Sequence, residues 1–285
     1  MKSLMGNRLM AKKWRKALLA VLVMVTAVLA YHSWFTAPAS AAGDVAQVWQ
    51  NVRRSDSYAF TAAIENKTIP LATVGNIGRF SKTSSLYVEG QNDLRDEELQ
   101  LAMWGGLVNT LDQSAAYQMR LHDGRVETRV GDEAWQPGSD LNVGMAPGGD
   151  FLAFLDVATD ITATDNAAHP DYTIYQFNVD GRAYAQRLVK ISQDYLVRTH
   201  QLPDGVVLQV PENMQAISGS GELWVDANGL PAREIVTLNI PAAAGADYRT
   251  EATLDVQFSD YEGAPFTAFW QQPGRAMSRI LASLP

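Results

Sequence analysis

The feature that most constrains the fold is the alternation of apolar and polar residues in the segment 249–259. Ala252, Leu254, Val256 and Phe258 alternate there with polar residues. Successive side chains of a β-strand point to opposite faces, so this pattern predicts a strand with one buried face and one solvated face. Such a strand needs partners beside it and a second layer against its buried face.

Two β-hairpins are predicted by their turns. In the segment 218–240, two extended runs flank the turn at residues 227–231, where Asn and Gly supply the positive φ angles that a tight reversal needs. In the segment 116–130, the turn is the Asp-Gly pair at residues 123–124. Trp224 alternates with its apolar neighbours in the first hairpin, which predicts that its side chain faces away from the core.

The remaining pattern predicts an α+β fold with about nine or ten antiparallel strands. Polar residues 159–171 are interpreted as a loop. Because the strands come in long runs and the helices are few, the helices should lie on one side of the sheet. Further strands are predicted at 58–64, 77–81, 85–90, 98–103 and 172–179, and helices at 44–56, 150–157, 182–198 and 273–284.

The first 42 residues read as an export signal. They carry six basic residues and no acidic one, an apolar run at 17–30, and an Ala-x-Ala-like site at 39–41. Two interpretations stay open, namely a cleaved signal peptide and an uncleaved N-terminal anchor spanning residues 17–37. In both, residues 43–285 form one exported domain, in the periplasm or at the cell surface, that ends in an amphipathic helix.

Composition excludes some partners and some chemistry. Outside the leader, 17 basic residues face 31 acidic ones, a net charge of −14 that disfavours nucleic acid as a partner. The chain has no cysteine, hence no disulfide, no thiol nucleophile and no lipobox for N-terminal acylation. His122, His169 and His200 have no metal-ligand spacing, and there is no Gly-x-Ser-x-Gly elbow. We therefore predict no catalytic residue, no metal site, no cofactor and no enzymatic activity.

Five stretches together resemble the LppX/LprG-like lipoproteins, a branch of the LolA-like lipid and lipoprotein carriers. The most specific is GELWVDANGLPAR at residues 221–233. The others follow the family's order through the chain and together span most of residues 44–263. They are the N-terminal helix leading into Tyr58-Ala59-Phe60, the segment Gly131-Asp132-Glu133-Ala134-Trp135, the strand YQFNVDG at 175–181 that leads into a helix, and Phe258-Ser259-Asp260-Tyr261.

The resemblance implies a strongly curved antiparallel half-barrel sheet whose concave face is covered by helices and encloses an apolar cavity for acyl chains. The family has no catalytic residues to transfer. Its cavity is defined by shape, so the lining residues of this chain are predicted from alternation and are not matched to a motif. The chain departs from the lipoprotein branch in lacking the lipobox cysteine. An anchor, if the leader is uncleaved, would therefore be the N-terminal apolar helix.

These observations lead to an expected function and a set of expected ligand-binding residues. The expectation is an exported protein that binds a lipid or an acylated lipoprotein for transport or presentation. The alternatives are a periplasmic or extracellular sensor or scaffold of the same fold that binds a protein partner, and a hydrolase, which would need a nucleophile or paired buried carboxylates. The cavity lining predicted from the alternation is Phe60, Ile64, Met119, Leu121, Phe177, Leu254 and Val256 on the sheet, and Phe151, Phe154, Tyr184 and Leu188 on the helices.

Overall fold

The computed structural model describes residues 41–96, 98–105, 117–122, 125–138, 151–165, 168–198, 200–203 and 205–261. The predicted leader at 1–42 lies almost wholly outside the described residues, and so does the predicted C-terminal helix at 273–284. Within the described part of the chain, no helix combines the length and the apolarity that a membrane crossing requires.

The described chain is α+β, with far more strand than helix. The strands are β1 (Ser57–Pro70), β2 (Lys82–Asp93), β3 (Glu98–Gly105), β4 (Tyr117–His122), β5 (Arg125–Val130), β6 (Gln136–Pro137), β7 (Ala158–Asp165), β8 (Thr173–Val179), β9 (Ser218–Val225), β10 (Pro231–Ile240) and β11 (Tyr248–Ser259). The helices are α1 (Ala41–Arg54), α2 (Gly181–Arg198) and α3 (Glu212–Gln215), with 3₁₀ turns at Val74–Asn76 and Phe151–Val157.

All eleven strands belong to one antiparallel sheet, in the order β6-β5-β4-β3-β2-β1-β11-β10-β9-β8-β7. Each half of this order is a run of consecutive strands, and the pairing of β1 with β11 joins the two halves. β6 and β7 are the two edges, so the described sheet does not close into a barrel. The predicted α+β class and antiparallel pairing are confirmed.

The conspicuous hairpin at 218–240 forms as β9 and β10, and its turn is stabilised by its own side chains. The Asp226 carboxylate accepts hydrogen bonds from the backbone N–H groups of Asn228 and Leu230, each at 2.9 Å. Gly229 has the positive φ of 75° that the turn needs. The Asn51 side chain, on α1, donates to the Gly229 carbonyl at 3.1 Å, so the turn also fixes the N-terminal helix.

Two predicted segments were wrong. Residues 159–171 were expected to form a loop, but β7 pairs with β8 over most of its length, with an irregularity between Thr159 and Thr162. β7 lies at the edge of the sheet and is rich in threonine, a β-branched residue that favours strands. It therefore pairs with β8 although its sequence has no alternation of apolar and polar residues. Residues 77–81 were expected to form a strand. They belong instead to a loop in which Gly78 has a φ of 81°.

Glycines opposite phenylalanines let two rings lie flat on the sheet. Phe60 faces Gly90 across β1 and β2, and Phe177 faces Gly221 across β8 and β9. A Cβ at Gly90 would stand 2.4 Å from the Phe60 ring and 2.7 Å from the Gln100 carbonyl oxygen. The ring therefore occupies the space that a side chain at position 90 would need.

We predict that Gly90→Ala lowers the free energy of unfolding by about 1–3 kcal/mol, because the new methyl group overpacks against the Phe60 ring and a backbone oxygen. Urea unfolding followed by far-UV circular dichroism measures the change. Gly75→Ala is the matched control, since a Cβ at Gly75 meets nothing within 4 Å. Equal midpoints for the two variants would contradict the packing described here.

Candidate functional site

The candidate site is one face of the sheet, which we call the apolar face. The register defines it, because directly paired residues in an antiparallel ladder point to the same side. One row crosses five strands at Ile64, Leu254, Val236, Gly221 and Phe177. A second row crosses four strands at Phe60, Gly90, Leu101 and Met119.

The structure brings all the predicted lining residues together. The strand residues Phe60, Ile64, Met119, Leu121, Phe177, Leu254 and Val256 share the apolar face by register. With the helical residues Phe151, Phe154, Tyr184 and Leu188 they form a single apolar cluster, in which Leu121 is partly buried and the others are buried. The period-2 pattern thus identified a shared face correctly. Lining of a ligand cavity by these residues stays a prediction.

Helical side chains reach this face through aromatic contacts. The ring of Phe151, in the 3₁₀ turn, meets the ring of Phe60 edge-on at a centroid distance of 5.1 Å. Phe154, one turn further, stacks on Tyr184 of α2 at 5.3 Å and 18° between planes. These contacts connect β1, the 3₁₀ turn and α2 into one packed layer.

Burial shifts the pKa of two tyrosines at the apolar face. Burial of the hydroxyl raises the pKa of Tyr184 to about 12. Burial also raises the pKa of Tyr175, on β8, and the negative charge of Asp44 raises it further. Asp44 lies in the first turn of α1, so the charge of this carboxylate acts on a phenol of the apolar face.

Glu234 is the site residue that sequence reasoning missed. Its side chain is only 1% exposed, and it shares a row of the apolar face with Ala62, Val256 and Leu223. A signal was available, because Glu234 is in phase with the buried residues Val236 and Leu238 of the same strand. The apolar face therefore has the carboxyl group of Glu234 in its interior, which the expectation of a purely hydrocarbon lining did not include.

The opposite face carries a polar surface cleft on its β7–β10 half and a small buried apolar cluster of Tyr87, Ala102 and Trp104 on its β2–β3 half. One cleft of about 460 Å³ is bordered by Asp160, Gln176, Asn178 and Glu222. Trp224 also lies on this side, with its ring 5.6 Å from the Arg233 guanidinium, so its predicted outward orientation is confirmed. Among the residues that the structure describes, no group of histidine, aspartate and glutamate side chains is arranged to hold a metal ion.

Comparisons with known proteins leave the family open. No family model matches the chain, and no curated protein matches it. Among solved structures, one similar chain is a β-barrel-like protein of the domain of unknown function DUF1849 from Brucella abortus. The two chains are 10% identical, the match covers 70% of this chain and 98% of the other, and the TM-score is 0.23. A TM-score this low does not establish a shared fold.

We predict that Tyr184 ionises near pH 12, well above an ordinary tyrosine, because burial disfavours its phenolate. The folded state then holds this proton more tightly than the unfolded state, so the stability it contributes is complete below about pH 10 and is lost as the pH rises toward 12. Tyr184→Phe keeps the ring stack and removes the proton. In an ultraviolet difference titration, the Tyr184→Phe protein should lack one tyrosine ionisation, and the difference from the unaltered protein should appear near pH 12. A difference that appears near pH 10 would contradict the burial.

Proposed function

We propose that the protein is an exported lipid- or lipoprotein-binding protein. Acyl chains would occupy an apolar space between a curved sheet and the helices, for transport or presentation and without catalysis. The single observation that carries the proposal is the apolar face, on which aliphatic and aromatic side chains from both halves of the sheet converge with helical side chains in one cluster.

Physical arguments support the curvature and the ligand class. A twisted open sheet of more than about ten strands tends to curl or split, so an eleven-stranded sheet favours the half-barrel expected from the LolA-like resemblance. Transfer of an acyl chain from water to an apolar site is worth about 0.8 kcal/mol per CH₂ group. A chain of about 16 carbons would thus gain on the order of 10 kcal/mol without any polar contact.

The predicted leader sets where this activity would take place. We propose that residues 1–42 direct export and that the body acts in the periplasm or at the cell surface. If the leader is not cleaved, residues 17–37 would tether the protein to the cytoplasmic membrane, and the ligand would be presented there. If it is cleaved, the body would be a soluble carrier.

A second candidate is a sensor or scaffold of the same fold that binds a protein partner. The ring contacts of Phe151 with Phe60 and of Phe154 with Tyr184 favour it, because helical side chains occupy space that an acyl chain would need. The two candidates differ in one respect that can be measured. A lipid-binding protein requires that these rings move aside or border a space for the acyl chain, whereas a scaffold requires that the rings fill the space between sheet and helices.

We predict that a fatty acid with a photoactivatable diazirine on its acyl chain labels the apolar face. Irradiation followed by peptide mass spectrometry should place the label within β1, β4, β8 or β11, at or beside residues such as Met119, Phe177, Leu254 and Val256. Excess unlabelled fatty acid should suppress the label. A label found only on solvent-exposed segments, or none at all, would contradict acyl binding and favour the scaffold.

A pair of neighbouring substitutions tests the same proposal in another way. Val256 lies on the apolar face and is buried, while Gln257 lies on the opposite face of the same strand. We predict that Val256→Phe lowers the affinity for a fluorescent fatty acid by roughly tenfold or more, because an added ring takes up space of several methylene groups. Gln257→Phe should leave the affinity within about twofold of the unaltered protein.

Thermal unfolding of both variants is the control for this comparison. Only a Val256→Phe protein that keeps its circular dichroism spectrum is informative, and a smaller pair, Ala62→Val and Ala63→Val, offers a milder version on β1. Ala62 is buried on the apolar face, and Ala63 lies on the opposite one. Equal affinities within both pairs would contradict an acyl site on this face.

A further inference from the structure

The loop between β1 and β2, residues 71–81, exposes three large apolar side chains that do not pack against the core. Val74, Ile77 and Phe80 are 86%, 81% and 84% exposed. A single exposed apolar side chain is ordinary in a soluble protein, but three within seven residues form a patch that marks an interaction site. We call residues 71–81 the apolar loop.

The apolar loop is held in position by hydrogen bonds. The buried side chain of Asn76 donates to the carbonyls of Leu71 and Asp247, at 2.9 Å in each case. The Leu71 N–H donates to the Asp247 carbonyl at 2.8 Å. These bonds join the β1–β2 loop to the β10–β11 loop and give the apolar loop a defined conformation. The three apolar side chains are exposed in that conformation.

Arg79 adds a second tie between these loops. Its guanidinium donates to the Asn76 side-chain oxygen at 3.0 Å and to the Tyr248 hydroxyl at 2.8 Å. It also lies 3.7 Å from the Asp247 carboxylate. A cleft of about 370 Å³ lies beside it, lined by Thr68, Arg79, Phe80, Lys82 and Tyr248, which places two cations next to an exposed aromatic ring.

Charge at this end of the sheet is opposite to that of the whole chain. Residues 66–85 contain Lys67, Arg79 and Lys82 and no acidic residue. The facing residues 238–251 contain Arg249, Asp247 and Glu251, and Glu251 pairs directly with Lys67, so four positive charges stand beside two negative ones. The local net charge is +2, whereas the chain carries −8. Apolar side chains flanked by cations suit the interface of an anionic bilayer, where the side chains enter the headgroup region and the cations meet lipid phosphates.

We propose that the apolar loop docks the protein onto the surface of a membrane that contains anionic phospholipid. Val74, Ile77 and Phe80 enter the interface, and Lys67 and Lys82 remain at the level of the phosphates. The docking orients the β1–β2 end of the sheet toward the bilayer. This inference goes beyond the acyl-binding proposal and does not depend on it.

The chain provides a control surface. Val206 and Val207 are also exposed, at 44% and 69%, but residues 205–212 contain no basic residue and one acidic residue, Glu212. Exposure alone would let either surface contact lipid. The proposal requires that the apolar loop does so and the valine pair does not.

The absence of cysteine allows a site-specific test on the full chain. Ser81→Cys and Gln209→Cys each carry an environment-sensitive fluorophore on an exposed residue beside one of the two surfaces. On vesicles of phosphatidylcholine with phosphatidylglycerol, the probe at position 81 should shift to the blue and be quenched by lipids with a nitroxide on the acyl chain. The probe at position 209 should do neither. Because each probe reports its own depth, the result holds whether or not the N-terminal segment anchors the chain.

Two variants in the Ser81→Cys background separate the apolar contribution from the charge. Replacing Val74, Ile77 and Phe80 together with serine should abolish the shift and the quenching, with an unchanged circular dichroism spectrum because these side chains are exposed. Lys67→Gln with Lys82→Gln should weaken the shift on anionic vesicles while leaving the signal on pure phosphatidylcholine unaltered.

Three results would overturn the proposal. They are no shift at position 81 on anionic vesicles, equal shifts at positions 81 and 209, and a serine variant that retains its shift. The first would mean that the loop meets a protein or remains in solvent. Uptake of a fluorescent fatty acid, measured on the same samples, shows separately whether the acyl-binding proposal stands.

Discussion

The structure depends on the pairing of its first strand with its last. β1 and β11 are neighbours at the centre of the sheet, although about 190 residues separate them in sequence. On either side of this pair, each strand follows its neighbour in the chain, so the rest of the order needs only pairings between consecutive strands, one of which, β8 with β9, is connected through α2 and α3. The β1–β11 ladder is therefore the long-range contact that turns two meanders into one sheet and brings their apolar residues onto one face.

Much of this arrangement could be predicted from the sequence, because hairpins and period-2 patterns are local. The turns at 123–124 and 227–231 and the alternation in β11 led to the correct elements. The β1–β11 pairing could not be read in this way, since no local signal specifies which distant strand is the partner. β7 was missed because an edge strand of threonine and alanine carries no apolar alternation.

In the candidate site, too, local patterns predicted some features and long-range contacts determined others. The residues on the apolar face were identified by their phase along each strand, and the register places them together. Glu234 was overlooked because its chemistry suggested solvent, although its phase placed it inside. The prediction of a strand at 77–81, within the apolar loop, was wrong because Ile77 and Phe80 are large apolar residues of the kind usually buried in a core. Both side chains are exposed in the structure, in a loop that the hydrogen bonds of Asn76 hold in place, and the long-range bond among these, to the Asp247 carbonyl, has no local signal in the sequence.

The proposed function requires that the apolar face accommodates an acyl ligand in addition to its own side chains. Native mass spectrometry of the full chain, produced in a bacterial host and purified without harsh detergent, tests it most directly. We expect a species heavier than the polypeptide by the mass of a lipid, which disappears when the same sample is denatured. A native mass equal to that of the polypeptide alone, even after incubation with fatty acid, would contradict the claim.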